Sequence, residues 1–220
     1  MNYRIIHGDC VDAMRQMEAG SVASVITDPP YGLDFPYLSY RDTRDNLTGL
    51  IAAFMPEARR VGDRVFVLCG PTQIGLYPQP DWVLNVTWNT TGSFGKYGFN
   101  QWTPVLCYGK DMKGIGSING VLKSDTIRIS GGGGVGFART DMEKQHTCPK
   151  PMTIMRAIVQ RLTSPGSSVL DPFCGSGSTG VACVEMGRAF IGIEIDETYA
   201  ALSRSRMQEA QRVVETAVPA

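Results

Sequence analysis

The chain has 220 residues, with 21 basic and 21 acidic side chains, six cysteines and two histidines. Its hydrophobic fraction of 43% and charged fraction of 19% are typical of a globular protein, and they exclude a disordered chain, a collagen and a coiled coil. We expect neither a membrane span nor a signal peptide, because the sequence lacks a long apolar run and an apolar leader. No cysteine pair has CxxC spacing, so we expect reduced thiols, no metal and a cytoplasmic protein.

Short apolar runs alternate with helical patterns over the first half of the chain. They predict strands over residues 3–6, 22–27, 64–69, 82–88 and 104–108. Helices are predicted over residues 11–17 and 48–60. The intervening residues 33–47 and 92–100 have no clear period and are predicted as loops.

The second half opens with a stretch of a different kind. Residues 110–145 contain four consecutive glycines and little periodicity, which is typical of a functional or mobile segment. Strands follow at residues 167–170 and 189–193, with helices over 152–162, 179–186 and 196–216. Because apolar strands alternate with helices, we predict an α/β fold with a mostly parallel sheet covered on both faces. Ligands of such sheets bind at the carboxyl ends of the strands.

A glycine-rich turn follows the strand that ends at Asp171. Residues 171–180 read DPFCGSGSTG, and the next strand ends at Glu194. Glycines admit a ligand close to the backbone, and a helix N-terminus offers free N–H groups. An acidic residue after the second strand can accept hydrogen bonds from ribose hydroxyls. The pattern matches neither the P-loop nor the GxGxxG motif. It favours a site for an adenosine-type ligand. The alternative is that these residues form only a tight turn and a surface glutamate, without a ligand.

A second motif, Asp28-Pro29-Pro30-Tyr31, stands at the end of a predicted buried strand. The lone pair of an exocyclic amine is delocalised into its base, which makes the amine a poor nucleophile. A carboxylate and a carbonyl that accept its two N–H bonds localise that lone pair, and Asp28 with the Pro29 carbonyl suits this task. Tyr31 offers a face on which a flipped base can stack. The alternative is a Pro-Pro turn capped by Asp28.

Together these motifs resemble the amino-methyltransferases that use S-adenosylmethionine to modify exocyclic amines of DNA. In that family residues 28–31 correspond to the catalytic motif, 171–180 to the methionine-binding loop and 192–196 to the ribose-binding motif. The catalytic motif comes first along the chain, which is the order of the circularly permuted beta class. The resemblance spans about residues 3–210 and is weakest over 110–145. It implies a Rossmann-like methyltransferase fold with a mostly parallel, seven-stranded sheet.

The resemblance also implies which residues hold S-adenosylmethionine. The segment His7-Gly8-Asp9-Cys10 resembles the one that contacts adenine, and His146 with Lys150-Pro151 resembles the one that closes over the methionine end. The predicted cofactor residues are Asp9, Cys10, Asp28, His146, Lys150, Pro151, Asp171, Pro172, Phe173, Cys174, Gly175, Ser176, Gly177, Glu194 and Ile195. Asp9 can instead simply cap the next helix, and His146 can make a loop hydrogen bond. Cys10 and Cys174 are predicted to be small buried residues rather than reactive thiols.

Positive charge concentrates in the middle of the chain. Residues 110–161 contain nine basic and four acidic side chains. We predict a catalytic half at 1–109, a target-recognition segment at 110–145 and a cofactor-binding half of the same domain at 146–220. Phosphate contacts are expected from Lys110, Lys113, Lys123, Arg128, Arg139 and Lys144. A solvated basic surface is the alternative.

The sequence therefore predicts a site-specific DNA methyltransferase that acts on double-stranded DNA, as in restriction-modification systems. Asp-Pro-Pro-Tyr resembles the motif of adenine-N6 enzymes more than that of cytosine-N4 enzymes, which often carry Ser first, so the resemblance implies adenine N6. The alternatives are a cytosine-N4 enzyme, an RNA methyltransferase and an inactive nucleic-acid-binding subunit. A monomer and a homodimer both fit, and the small size suits a phage or prophage enzyme.

Overall fold

A computed structural model describes residues 3–88, 94–95, 98–99, 101–111, 124–129 and 150–217. Its strands are β1 Tyr3–His7, β2 Ser24–Thr27, β3 Arg64–Leu68, β4 Trp82–Trp88, β5 Phe94–Gly95, β6 Gly98–Phe99, β7 Trp102–Gly109, β8 Thr126–Ile129, β9 Ser168–Asp171 and β10 Ala189–Glu194. Its helices are α1 Cys10–Arg15, α2 Arg44–Val61, α3 Met152–Leu162, α4 Ser178–Glu185 and α5 Glu197–Ala217, with a 3₁₀ helix at Pro71–Leu76. The predicted α/β alternation is confirmed.

Eight of these strands form one sheet in the order β1-β10-β9-β2-β3-β7-β4-β8. Strand β7 runs antiparallel to both of its neighbours, and every other pair is parallel. The mostly parallel sheet is confirmed, but the prediction of seven strands was one short. The additional strand, β8, lies within residues 110–145, where the sequence has little periodicity and no strand was predicted. Only four residues long, it is too short to give a clear periodic signal.

Helices cover both faces of the sheet. Helices α1 and α2 pack on one face through side chains such as Met14 and Phe54. Helices α3, α4 and α5 pack on the other through side chains such as Ile158 and Met207. Burial on both faces explains why the central strands are apolar at successive positions. No helix in the described part of the chain is both long and apolar enough to cross a membrane.

Two predicted loops contain regular structure. Helix α2 begins at Arg44 rather than at residue 48, because the Thr43 Oγ1 accepts a hydrogen bond from the Asn46 N–H at 3.3 Å and caps the helix. The antiparallel pair β5 and β6 lies within residues 92–100. The first turn of α2 is polar and the strands β5 and β6 have two residues each, so neither shows a periodic pattern of apolar residues. The sequence therefore did not predict them.

The pairing of distant strands determines where the two sequence motifs lie. Strands β9 and β10, near the end of the chain, insert between β1 and β2. In the β2–β9 pair, Ser24 aligns with Val169 and Val25 with Leu170, and the strands are parallel. Their carboxyl ends therefore meet at one edge of the sheet, where Asp28 and Asp171 follow. The division of the chain into three segments remains a prediction.

A pair of helical glycines tests the packing between α4 and α5. A Cβ at Gly180 would lie 2.6 Å from Phe190 Cε1 and 2.8 Å from Met207 Sδ, whereas a Cβ at Gly49 in α2 would meet no atom within 4 Å. We expect Gly180→Ala to lower the free energy of unfolding by about 1–3 kcal/mol through overpacking. Gly49→Ala is expected to raise it by about 0.5–1 kcal/mol through helix propensity. Urea denaturation measures both, and equal effects would contradict this packing.

Candidate active site

One cavity lies at the carboxyl edge of the sheet, where β1, β2, β9 and β10 end. It is lined by residues that follow these strands, namely Gly8, Asp9, Cys10, Asp28, Pro30, Asp171, Pro172, Phe173, Cys174, Gly175, Ser176, Glu194, Ile195 and Asp196. The remaining lining residues come from the loop after Tyr31 and from helices or their ends: Tyr37, Leu38, Ser39, Tyr40, Leu50, Lys150, Met155, Ser178, Thr179 and Tyr199. The two sequence motifs thus contribute to the same cavity.

Two donors hold the Asp28 carboxylate. The Tyr31 hydroxyl donates to Asp28 Oδ1 at 2.7 Å, and the Lys150 ammonium lies 2.7 Å from Asp28 Oδ2. Burial and the neighbouring Asp28 charge both raise the pKa of Tyr31, so its hydroxyl keeps the proton that it donates. Both partners of the Lys150–Asp28 ion pair are half-buried, with side chains 21% exposed. The orientation of Asp28 is therefore fixed from both sides.

Lys150 also contacts Tyr31 directly. Its Nζ donates to the Tyr31 hydroxyl at 3.3 Å and lies 5.0 Å from the centroid of the ring. That distance is within the range of a cation–π interaction. The sequence predicted Lys150 to be a cofactor residue; the structure places it in the cavity, where its charge is paired with Asp28 of the Asp-Pro-Pro-Tyr motif. Asp28, Tyr31 and Lys150 thus form one hydrogen-bonded triad.

Asp171 supports the glycine-rich turn from inside. It is 2% exposed, its Oδ1 accepts hydrogen bonds from Thr27 Oγ1 at 2.8 Å and the Phe173 N–H at 3.1 Å, and its Oδ2 accepts from Thr179 Oγ1 at 2.6 Å. Burial raises the pKa of Asp171 to about 6, although these hydrogen bonds act in the opposite direction. Both carboxylate oxygens are engaged within the protein. Asp171 therefore shapes the turn and joins it to β2.

Glu194 and Arg206 hold the same turn from the other side. Glu194 accepts hydrogen bonds from the Gly175 N–H at 2.8 Å and the Asp196 N–H at 2.9 Å. Burial raises the pKa of Glu194, which still lines the cavity. Arg206, on α5, donates to the Ser176 carbonyl at 2.8 Å and to its Oγ at 3.0 Å. The turn is thus fixed in shape with its backbone facing the cavity.

Asp9 and the two predicted buried cysteines also border the cavity. Asp9 Oδ1 accepts hydrogen bonds from the Val11 N–H at 2.8 Å and the Asp12 N–H at 3.0 Å, so Asp9 caps α1 as well as lining the cavity. Burial raises the pKa of the Cys10 thiol to about 12 and that of Cys174 well above its usual value. Cys10 and Cys174 are 6% and 5% exposed. The prediction that both are small buried residues is confirmed, and their raised pKa values disfavour the reactive thiolate form.

The loop after Tyr31 supplies a wall of the cavity that the sequence reasoning missed. Asp42 is 2% exposed, and its carboxylate accepts hydrogen bonds from the Gly32 N–H at 2.6 Å, the Leu33 N–H at 3.1 Å and the Phe35 N–H at 3.2 Å. Farther along, Ser39 Oγ donates to Asp196 Oδ2 at 2.6 Å. This bond is the largest cause of a lowered pKa of Asp196. Asp42 therefore joins the two ends of the loop, and Ser39 attaches its middle to Asp196 at the end of β10.

Some predicted residues lie outside this cavity. Pro29, Tyr31, Pro151 and Gly177 do not line it, although Tyr31 contacts Asp28, and Pro151 and Gly177 stand at the N-termini of α3 and α4. Gly177 has a φ of 83°, and a Cβ there would collide with Ser203 Oγ. Five further predicted residues lie outside the described part of the chain: Lys113, Lys123, Arg139, Lys144 and His146.

Two of the residues that were predicted to contact DNA lie in the described part of the chain, Lys110 and Arg128. They lie at opposite ends of the strands. Gly109 aligns with Arg64 at the amino end of β3, so the adjacent Lys110 lies away from the cavity, where it forms an ion pair with Asp63 at 2.7 Å. That Lys110 contacts DNA stays a prediction. Arg128, in β8, aligns with Thr87 near the carboxyl end of β4 and is exposed. The antiparallel direction of β7 is the reason for this separation.

The charge of the cavity limits the ligands that it can hold. Five carboxylates line it, those of Asp9, Asp28, Asp171, Glu194 and Asp196. Among the lining residues that the structure describes, Lys150 is the single cation, and it pairs with Asp28. Pyrophosphate and triphosphate groups usually bind several cationic side chains, and the described lining supplies only Lys150. A nucleoside that carries a positive charge fits this acidic lining better.

Comparison with known proteins agrees with this architecture. The sequence model of the N6/N4 DNA methylase family matches residues 118–205. A structure of M1.HpyAVI in complex with S-adenosylmethionine superposes with a TM-score of 0.68 at 22% identity, over 93% of this chain and 98% of that one. The chain has a methyltransferase fold. The cytosine-N4-specific PvuII DNA methyltransferase matches with a TM-score of 0.69 at 14% identity, over 98% and 92% of the two chains.

Two proteins of Escherichia coli (strain K12) are similar over most of the chain. YubD, a protein named as a methylase, is 27% identical, with 96% of this chain and 93% of YubD covered. The DNA adenine methyltransferase YhdJ is 25% identical, with 94% of this chain and 83% of YhdJ covered. Both similarities extend over nearly the whole chain.

The buried Asp171 predicts a specific pH dependence of stability. The pKa of Asp171 is about 6 in the folded protein, above the ordinary value of 3.8, so folding favours the protonated carboxyl group. The resulting contribution to the free energy of unfolding is complete at low pH and is lost as the pH rises through 6. Relative to Asp171→Asn, the wild type should gain about 2 kcal/mol in free energy of unfolding between pH 7.5 and pH 4.5. Urea denaturation of both proteins at several pH values measures this. A constant difference would contradict the raised pKa.

Proposed function

We propose that the protein transfers a methyl group from S-adenosylmethionine to an exocyclic amine of a base in double-stranded DNA, preferentially adenine N6. The observation that carries this proposal is that Asp28, the glycine-rich turn and Glu194 all line the same cavity. A direct transfer requires donor and acceptor in one site. The order of the motifs along the chain supports the circularly permuted beta class.

The cofactor is S-adenosylmethionine, and the lining fits it. Glu194, fixed by two backbone N–H groups, retains lone pairs for ribose hydroxyls. The glycine turn presents backbone without side chains, and Ile195 offers an apolar surface. When bound, the cofactor supplies a methyl group on a positively charged sulfur. The acidic lining, which disfavours phosphates, suits that charge.

Asp28 and the Pro29 carbonyl are assigned to the target amine. Asp28 Oδ1 accepts a hydrogen bond from Tyr31 and Oδ2 is paired with Lys150, and a carboxylate offers about four acceptor positions in all. An amine N–H can therefore donate to Asp28 while Tyr31 and Lys150 hold the carboxylate in place. Accepting both amine N–H bonds localises the nitrogen lone pair and increases its nucleophilicity. No covalent intermediate and no metal are needed for this step.

Tyr31 is assigned two roles. Its ring stacks on the flipped base, because every base presents a face that an aromatic side chain can cover. Its hydroxyl, 2.7 Å from Asp28, orients the carboxylate. Lys150 balances the Asp28 charge and contacts the Tyr31 ring at 5.0 Å, which couples the two side chains. Positioning and electrostatics therefore provide most of the expected rate enhancement.

The choice of adenine rests on the tetrapeptide Asp-Pro-Pro-Tyr and on similarity to a protein named as a DNA adenine methyltransferase. Incubation with S-adenosylmethionine and mixed-sequence duplex DNA, followed by nucleoside mass spectrometry, tests the proposal. We expect N6-methyladenine. N4-methylcytosine would keep the class and change the base. Methylation of structured RNA alone, or no modified nucleoside despite cofactor binding, would contradict the proposal.

Substitution of the catalytic carboxylate separates chemistry from cofactor binding. We expect Asp28→Asn to lower kcat by about 10³-fold or more, because the neutral amide cannot accept the amine N–H bonds as a carboxylate does. Affinity for S-adenosylmethionine, measured by calorimetry, should change less than about threefold. Asp45→Asn, in the exposed first turn of α2, is the matched control and should retain activity. Near-normal turnover of Asp28→Asn would exclude the catalytic assignment.

Two substitutions at Tyr31 distinguish its hydroxyl from its ring. Tyr31→Phe keeps the stacking face and removes the bond to Asp28, so kcat should fall by about tenfold while the KM for DNA is nearly unchanged. Tyr31→Ala also removes the stacking face and should raise the KM for DNA by about tenfold or more. Steady-state kinetics measure both. Identical kinetic effects of the two variants would argue against separate roles.

The salt dependence of DNA binding tests the position of the DNA. We propose that Arg128, near the carboxyl end of the sheet, neutralises a phosphate. Arg128→Gln should make the slope of log K against log salt shallower by about 1. Lys110→Gln, at the opposite edge, is the matched control and should leave the slope unchanged. Fluorescence anisotropy measures the slopes, and the reverse pattern would contradict this orientation.

A further inference from the structure

The segment after β3 lies beside the Asp-Pro-Pro-Tyr motif. In the parallel pair β2–β3, Thr27 aligns with Val67, so the residues after both strands leave the sheet at the same edge. Strand β2 lies between β9 and β3. Asp28 therefore has the glycine-rich turn on one side and the segment after β3 on the other. Residues 69–77, all of which the structure describes, do not line the cavity, so this second side is separate from the glycine-rich turn.

A buried carboxamide stands on this second side. Gln73, in the 3₁₀ helix after β3, is 3% exposed. Its backbone N–H donates to the Gly70 carbonyl at 3.0 Å, and its side-chain Oε1 accepts a hydrogen bond from Thr72 Oγ1 at 2.9 Å. The Nε2 of Gln73 donates to no acceptor among the described residues. A buried N–H group without an acceptor costs free energy, so a ligand that supplies one gains affinity.

Gly70 brings this carboxamide next to Tyr31. A Cβ at Gly70 would collide with Gln73 Oε1 and would lie 3.7 Å from Tyr31 Cδ2. The carboxamide and the Tyr31 ring therefore both border the space that a side chain at position 70 would fill. A glycine is needed there, because a larger residue would displace the carboxamide. The amide of Gln73 thus lies beside the ring on which the target base is proposed to stack.

The chemistry of the target base determines what this donor can bind. Adenine and cytosine carry the exocyclic amine next to a ring nitrogen that has no hydrogen, N1 in adenine and N3 in cytosine. When Asp28 accepts from the amine, this ring nitrogen is the neighbouring acceptor on the same edge of the flipped base. In guanine and thymine the corresponding nitrogen carries a hydrogen and cannot accept a bond. An N–H donor near Asp28 therefore suits the two bases that carry an amine there.

We propose that Gln73 Nε2 donates a hydrogen bond to the ring nitrogen next to the target amine, which is N1 when the target is adenine. This inference rests on the proposed function, because it names a residue that selects the base for that reaction. Asp28 accepts from the amine and Gln73 donates to the ring nitrogen, so the pair rejects a base with a carbonyl at this edge. A bond to the ring nitrogen draws electron density from the amine. Gln73 therefore contributes to binding of the base rather than to the chemical step.

Removal of the amide donor tests this role through the KM for DNA. Gln73→Met keeps the length of the side chain, and we expect it to raise KM by about tenfold and to change kcat by less than about threefold. Gln73→Glu keeps the acceptor for Thr72 but removes the donor, and it should raise KM at least as much. Gln79→Met, which changes an exposed glutamine six positions later, is the matched control and should leave KM unchanged.

Base analogues identify the atom that Gln73 binds. The site that is methylated in mixed-sequence DNA is synthesised with 1-deazaadenine at the target position, where C–H replaces N1, or with 3-deazacytosine for a cytosine target. On this duplex the KM values of the wild type and Gln73→Met should differ by less than about twofold. For an adenine target, the tenfold difference should persist with 7-deazaadenine, which keeps N1. Each comparison uses the same two proteins, so a loss of stability in the variant cannot produce this pattern.

Three results would overturn the role of Gln73. The first is a KM of Gln73→Met that equals that of the wild type. The second is a tenfold difference that persists when the ring nitrogen is removed. The third is a difference that disappears with 7-deazaadenine instead, which would place Gln73 at N7. In each case the wild type still methylates DNA and the proposed function stands, whereas a wild type that methylates no DNA would contradict the proposed function itself.

Discussion

The parallel pairing of β2 with β9 is the constraint on which the site depends. The two strands lie far apart in the chain, yet Val25 aligns with Leu170, and Thr27 Oγ1 donates to Asp171 Oδ1 at 2.8 Å across 144 residues. Parallel strands end at the same edge, so Asp28 and the glycine-rich turn enter one cavity. A one-step transfer between two bound molecules needs such a shared site, because orientation replaces a chance encounter.

Buried carboxylates shape the walls of this cavity. Asp42, Asp171 and Glu194 each accept at least two hydrogen bonds from backbone or hydroxyl groups. Burial opposes their charge, as the raised pKa values of Asp171 and Glu194 record. Burying these charges costs free energy, which the hydrogen bonds partly offset. The same hydrogen bonds fix the loops whose backbones border the cavity. Asp28, by contrast, is only half-buried and remains accessible to a substrate.

Local signals in the sequence predict most of the fold and the core of the site. Apolar strands, glycine turns and the acidic residues that follow them depend on near neighbours, which explains why β9, β10 and the position of Glu194 at the end of β10 were predictable. Strand β8 is too short for a period, and the capped start of α2 is polar. Leu38 enters the cavity through the Ser39–Asp196 bond, which joins residues 157 positions apart. Charge alone could not separate Lys110 from Arg128, because the direction of β7 decides which edge Lys110 occupies.

A crystal structure with S-adenosylmethionine bound tests the central claim that one cavity joins cofactor and catalytic carboxylate. We expect the cofactor to lie in this cavity, with its ribose hydroxyls at Glu194 and its sulfonium methyl group toward Asp28. A cofactor bound outside this cavity, or one whose methyl group points away from Asp28, would contradict it.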